Sequence, residues 1–162
     1  MFINRGYGVG GIDFLRQFRK VVVATEEEYR RAKKRFSDFE IIKTGVGAVN
    51  VIGVLKDLDK DTPLLNFGYA GSNVLKIGEE IEIGKVALYH PKVQYKEPAY
   101  KISDSKVSCF TSCDFVTETN IKEPCVFDME LVFILALGFK NVKSIKIVSD
   151  NLSIKQYEEN IK

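Results

Sequence analysis

The feature that most constrains this chain is a repeated alternation: a short β-branched run, a turn built on glycine or a capping hydroxyl, then helix-type spacing. Residues 20–24 read Lys-Val-Val-Val-Ala, the pattern of a strand buried on both faces of a parallel sheet. Thr25 follows as an N-cap with Glu28 three positions on, the spacing of a capping box, and the helix it opens is expected to end near Phe36. Residues 40–44 form a second run ending at Gly45-Val46-Gly47, with a helix expected over 49–58. A third run, 63–67, ends at Gly68-Tyr69-Ala70-Gly71-Ser72, and a last one, 144–148, leads into Ser149-Asp150. Strand–helix alternation of this kind specifies an α/β fold. In such sheets functional groups gather outside the carboxyl ends of the strands.

Between these runs the pattern changes. Residues 79–90 alternate as sheet does, and 93–116 are polar with scattered Pro, Ser and Tyr, which suits strands and loops at the rim of a sheet. Residues 129–137 are apolar on nearly every face, so a buried helix is expected, stopped by Gly138. The segment 152–162 reads as a short polar helix or a frayed tail. At the other end, Gly6, Gly8, Gly10 and Gly11 lie in a glycine-rich stretch that no strand precedes. That context does not fit a dinucleotide fingerprint. Residues 1–19 are therefore taken as an N-terminal arm and 20–162 as one domain.

Composition narrows the partners. A net charge of +2 gives no reason to expect nucleic acid or an anionic membrane. The basic cluster Arg30, Arg31, Lys33, Lys34, Arg35 follows Glu26, Glu27 and Glu28 at helical spacing, as on a solvated helix face with paired charges. Cys109, Cys113 and Cys125 are odd in number and lack metal-ligand spacing, and no secretory signal precedes them; reduced thiols in a cytoplasmic protein are expected. No apolar run approaches the roughly eighteen residues of a membrane span. With His90 as the single histidine, neither a histidine metal site nor a Ser-His-Asp triad is expected, and no metal or organic cofactor.

Two acids stand out. Phe127-Asp128-Met129-Glu130 opens the apolar run 129–137, and Ile147-Val148-Ser149-Asp150-Asn151 closes the last strand about twenty residues later. An acid at a helix entry and another at a strand exit can be aimed into one pocket. Each has a plainer alternative. Asp150 can be a helix N-cap, Glu130 a first-turn acid complementing the helix dipole, and Glu28 the closing member of a capping box. Phe115 and Met129 can be core.

Taken in order, the motifs carry a resemblance: Ala24-Thr25-Glu26-Glu27-Glu28, Thr44-Gly45-Val46-Gly47-Ala48-Val49-Asn50, Asn66-Phe67-Gly68-Tyr69-Ala70-Gly71, Lys76-Ile77-Gly78-Glu79, Asp114-Phe115-Val116, Asp128-Met129-Glu130 and Val148-Ser149-Asp150. Over about residues 20–152 the chain resembles the nucleoside phosphorylase superfamily, and within it is most similar to the 5′-methylthioadenosine/S-adenosylhomocysteine nucleosidases. The resemblance implies a three-layer phosphorylase/hydrolase-like α/β fold with a central mixed β-sheet flanked by helices. It implies cleavage of the N-glycosidic bond of a purine nucleoside or thionucleoside. Asp150, oriented by Ser149, would protonate or hydrogen-bond the purine at N7. Glu130 would hold the ribose 2′- and 3′-hydroxyls, with Met129 against the sugar. Phe115 would stack on the base and the Val116 backbone would read its edge. Glu28 would activate water, with Glu27 as the alternative alignment. Tyr69, Ala70, Gly71 and Gly47 would complete the pocket, and a homodimer or larger homo-oligomer is implied.

The sequence departs from that family in three places. Tyr69 stands where the family has a small residue, Pro91-Lys92-Val93 replaces the acids that follow the Tyr89-His90 pair, and only twelve residues follow Asp150. The acids after the first strand disfavour phosphate by charge, so hydrolysis is expected over phosphorolysis. Lys146 and Arg5 are the candidates for a phosphate site, and a non-catalytic nucleoside-binding relative is the third reading.

Overall fold

The computed structural model describes residues 18–93 and 99–162. Arg5 and the glycine-rich stretch lie outside the described residues. The elements follow in the order β1 (Lys20–Val23), α1 (Glu26–Arg35), β2 (Glu40–Lys43), α2 (Gly47–Leu55), β3 (Leu64–Ser72), β4 (Glu80–Glu82), β5 (Lys85–Leu88), β6 (Ala99–Lys101), β7 (Ser108–Thr111), β8 (Cys125–Asp128), α3 (Leu131–Ala136), β9 (Val142–Asp150) and α4 (Ile154–Asn160). Among the described residues the strands form one mixed sheet, ordered β2-β1-β3-β8-β7-β5-β6, with β9 on the other side of β3 and β4 beside β9.

Helices cover both faces, giving three layers. On one, Ala32 and Phe36 from α1 and its end pack with Val21, Val23, Phe67 and Ile147. On the other, Val51 and Leu55 of α2 and Leu131, Ile134 and Leu135 of α3 pack with Leu64, Val126 and Val148. Phe18, expected in the arm, is fully buried in the α1-side core, so the domain begins at or before it.

The sheet is split where it matters. β1 runs parallel to β3 only as far as Val22 opposite Asn66. β8 then joins β3 antiparallel at Gly71–Phe127 and Ser72–Val126. β9 follows the opposite side of β3 along nearly its whole length. A stretch of β3 between Asn66 and Gly71 therefore has no strand beside it on the β1 side, and its backbone groups face a gap.

Several boundaries differ from the sequence expectation. β3 continues through Gly68-Tyr69-Ala70-Gly71 instead of turning at 67. Glycine inside a strand marks close approach of another group, and here carboxylates approach: a Cβ on Gly68 would lie 2.3 Å from Glu28 Oε2, and one on Gly71 2.8 Å from Asp150 Oδ2. Residues 125–128 form a fully buried strand, so α3 begins at Leu131 and Glu130 is its N-cap. α2 starts at Gly47 and ends at Leu55, earlier at both ends than its apolar pattern suggests. Gly45 and Gly47 adopt φ of +93° and +85°, the left-handed backbone that turns the chain off β2. Residues 154–160 are helical, with the Ser153 hydroxyl accepting from Gln156 N–H at 3.3 Å.

Candidate active site

Glu28 sits in the first turn of α1, and its capping box is complete. Thr25 Oγ1 accepts from Glu28 N–H at 3.1 Å, while Glu28 Oε1 accepts from the N–H groups of Ala24 at 2.8 Å and Thr25 at 3.0 Å. Oε2 does something a capping box does not require: it accepts from Tyr69 N–H at 2.7 Å. That amide belongs to the unpaired stretch of β3, so the carboxylate fills the place of a missing strand and lies in the gap. Burial pushes its pKa up, against the pull of Lys146 and the backbone N–H groups. One side chain thus closes the capping box and lines the cavity described below.

Asp150 ends β9 and is fully buried. Ser149 Oγ donates to its Oδ1 at 2.7 Å, and Ser153 N–H to Oδ2 at 3.2 Å. Ser153, not Asp150, is the N-cap of α4. Burial raises the Asp150 pKa despite these donors, which favours the protonated carboxyl. Glu130 caps nothing with its side chain. Its Oε2 instead accepts from Gly47 N–H at 2.8 Å, tying α3 to the turn before α2. Burial, followed by repulsion from Asp128, lifts Glu130 to about 8.

These acids share one cavity of about 240 Å³ with Tyr69, Ala70, Gly71, Phe115, Met129 and Ser149. Val116 lines an adjoining recess of about 30 Å³, which shares Phe115, Met129 and Asp150 with the cavity. Gly47 lies behind Glu130 as its hydrogen-bond donor, while Val46 lines the cavity itself. Glu28, not Glu27, reaches the cavity; Glu27 lies on the outer face of α1, 3.9 Å from Arg30. The other charges of that face are partly paired, Glu26 with Lys43 and Arg35 with Glu80.

Tyr69 does not fill the cavity with its hydroxyl. Its side chain packs on the α1 face, where Arg31 Nη1 donates to the phenol oxygen at 3.2 Å and the guanidinium carbon lies 5.8 Å from the ring centroid. Lys146 is also committed elsewhere. It is buried in an ion pair with Asp128 at 3.0 Å, and Asp128 further accepts from Thr111 Oγ1 at 2.5 Å and Leu131 N–H at 2.9 Å. Burial raises the Asp128 pKa and this set of partners outweighs it, so Asp128 stays below the ordinary range. As a phosphate anchor Lys146 is therefore excluded: its charge is spent within the protein. His90 lies outside the cavity, its Nδ1 accepting from Lys92 N–H at 3.1 Å.

Sequence reasoning missed Tyr157 and the Asp128–Lys146–Thr111 cluster. Tyr157 lines the cavity from α4, and its ring meets Phe115 in a T-shaped contact at 5.6 Å. A polar helix on the segment 152–162 would have found its position but not its direction. A lysine in the middle of a buried strand was the signal for the ion pair. Among the described residues no cluster of His, Cys, Asp and Glu is arranged to hold a metal ion, and no helix is long and apolar enough to cross a membrane.

Arranged so, the site can hold a proton on Asp150, accept hydrogen bonds from hydroxyls at Glu130, and take a proton from water at Glu28. No family profile matches the chain and no curated protein matches it by sequence. Solved structures match its fold. The MTAN of Chlamydia trachomatis aligns with a TM-score of 0.69 at 15% identity, over 88% of each chain. The 5′-methylthioadenosine/S-adenosylhomocysteine nucleosidase of Helicobacter pylori gives 0.67 at 17% identity, over 88% of this chain and 90% of that one. Futalosine hydrolase of Helicobacter pylori gives 0.66 at 16% identity, over 90% and 92%. The mixed sheet flanked by helices is the fold of these proteins.

Proposed function

We propose that this protein is an enzyme that hydrolyses the N-glycosidic bond of a purine nucleoside or thionucleoside. The observation that carries the reading is the convergence of Glu28, Glu130 and Asp150 on one cavity at the split between β1 and β8. Cleaving the bond places positive charge on the sugar and negative charge on the departing base. Asp150, whose protonated form is favoured by burial, gives its proton or a hydrogen bond to the purine at N7. Ser149 and the Ser153 amide fix the carboxyl's orientation.

Glu130 accepts from the ribose 2′- and 3′-hydroxyls, and those donors favour its anionic form as the sugar becomes cationic. Glu28 takes the proton of the attacking water; with one N–H on Oε2 and two on Oε1, Oε2 retains acceptor capacity. Met129 packs against the sugar and Phe115 stacks on the base. A purine nucleoside as substrate is further supported by a Helicobacter pylori MTAN variant with 5′-methylthioadenosine in its active site.

Hydrolysis is favoured over phosphorolysis because no Lys or Arg lines the cavity among the described residues. A homodimer or larger homo-oligomer is supported by α2, which leaves Val49 84% and Ile52 43% exposed beside the Gly47–Glu130 contact. The enzyme acts as a soluble cytoplasmic protein in this reading. The test is a panel of purine nucleosides incubated with and without phosphate, with free base followed by chromatography. Phosphate-independent release supports hydrolysis, and release only with phosphate makes the protein a phosphorylase. Binding without any release makes it a non-catalytic relative.

A further inference from the structure

We propose that Tyr157 sets the substrate specificity of this site: its hydroxyl donates to an oxygen on the 5′ carbon of the sugar, so that uncharged 5′-hydroxy nucleosides are preferred. The inference rests on the nucleosidase reading and names a substrate class within it.

Tyr157 is held in place by the way α4 is tied to the end of β9. Asn151 N–H donates to Gln156 Oε1 at 2.8 Å, and Asn160 Nδ2 donates to the Ser149 carbonyl at 3.1 Å. A helix that starts only a few residues after Asp150 is thereby folded back, and Tyr157 enters the cavity beside Glu28, Glu130 and Asp150. The T-shaped contact with Phe115 fixes the ring.

The hydroxyl itself is unused. Among the described residues no hydrogen bond joins it to another group, whereas the other tyrosine of the cavity, Tyr69, accepts from Arg31. Since no buried side-chain nitrogen or oxygen among the described residues lacks a partner, this oxygen is reached by solvent and is open to a ligand. Burial and the nearby carboxylates of Glu28, Glu27, Glu130 and Asp150 push the Tyr157 hydroxyl up to about 12, so it remains a neutral donor near neutral pH.

What it donates to follows by elimination. In the proposed reaction Asp150 takes N7, the Val116 backbone the base edge, Glu130 the 2′- and 3′-hydroxyls, and Glu28 the water. Of the substituents on the sugar ring, the 5′ group is the one these residues leave without a partner. A 5′ oxygen is a good acceptor and a thioether sulfur a weak one. A 5′-phosphate would meet no Lys or Arg in the lining of the cavity among the described residues, so nucleotides are disfavoured.

The experiment compares adenosine with 5′-deoxyadenosine, and inosine with 5′-deoxyinosine, in the native protein and in Tyr157→Phe. The native protein is expected to prefer the 5′-hydroxy member in kcat/KM by about tenfold, the size of one hydrogen bond plus an unpaired donor. In Tyr157→Phe that ratio falls to about one, the phenylalanine keeping the ring on Phe115 but lacking the donor. A ratio within one protein is insensitive to loss of folded fraction. An unchanged ratio in Tyr157→Phe, or no preference in the native protein, overturns the proposal. If no compound is cleaved, the nucleosidase reading fails separately, and calorimetric Kd ratios for the same pairs decide on Tyr157 by the same criterion. Failure to bind any of them overturns both.

Discussion

Glu130→Gln should make the protein more stable at alkaline pH while leaving it unchanged in acid. The Glu130 carboxyl is buried next to Asp128, which the Lys146 ion pair and its other donors keep charged, and its pKa rises from 4.5 to about 8. A folded-state pKa above the unfolded value means that the folded protein binds the proton more tightly. Stability from this group is then fully present below pH 4.5 and is lost as pH rises through about 8. At about 1.4 kcal/mol per pH unit the ceiling is about 5 kcal/mol, and coupling to Asp128 lowers the expected effect to about 2–5 kcal/mol. Glutamine keeps the shape and an oxygen for the Gly47 N–H, and it carries no charge at any pH. Urea unfolding followed by circular dichroism at pH 5 and pH 8.5 gives the difference directly, because every other titrating group is common to both proteins. The two stabilities should agree to within about 1 kcal/mol at pH 5, with the variant well ahead at pH 8.5. A difference that does not change with pH, or a variant less stable at pH 8.5, would refute the account of Glu130's surroundings.

The buried ion pair and the glycine approach offer two further predictions. Lys146→Met strands the Asp128 charge in the core and should cost about 3–5 kcal/mol in urea unfolding; adding Asp128→Asn should restore most of the loss, and a cost under about 1 kcal/mol would contradict the pairing. Gly71→Ala places a Cβ 2.8 Å from Asp150 Oδ2, so it should lower kcat by displacing the acid; unchanged kcat would mean that Asp150 does not act where it stands.

The alternation of apolar runs with turns made the α/β layers legible, because a buried strand and an amphipathic helix differ in period. The ordered motifs pointed to the acids, and Glu28, Glu130 and Asp150 do face one cavity. Gly68 and Gly71 were read as a turn because glycine signals a turn and a close approach equally well, and only the carboxylates behind them distinguish the two. β8 escaped notice because Pro124 and the polar residues before it resemble loop, and the buried Val126 and Phe127 are too few to show a period. Lys146 could be seen as anomalous in an apolar strand, but its partner Asp128 is on another strand, and no local pattern relates them. The segment after Asp150, which reads as a short polar helix or a frayed tail, is a helix tied to β9 through Asn160, and it supplies a wall of the site.

Single-turnover kinetics on Asp150→Asn, with nucleoside affinity measured alongside, tests the central claim most directly. The account predicts that release of base slows by about 100-fold or more, the usual worth of a general acid, while Kd changes by less than about threefold because Glu130, Phe115 and Met129 still hold the nucleoside. Cleavage at the native rate, or loss of binding in proportion to loss of rate, would contradict it.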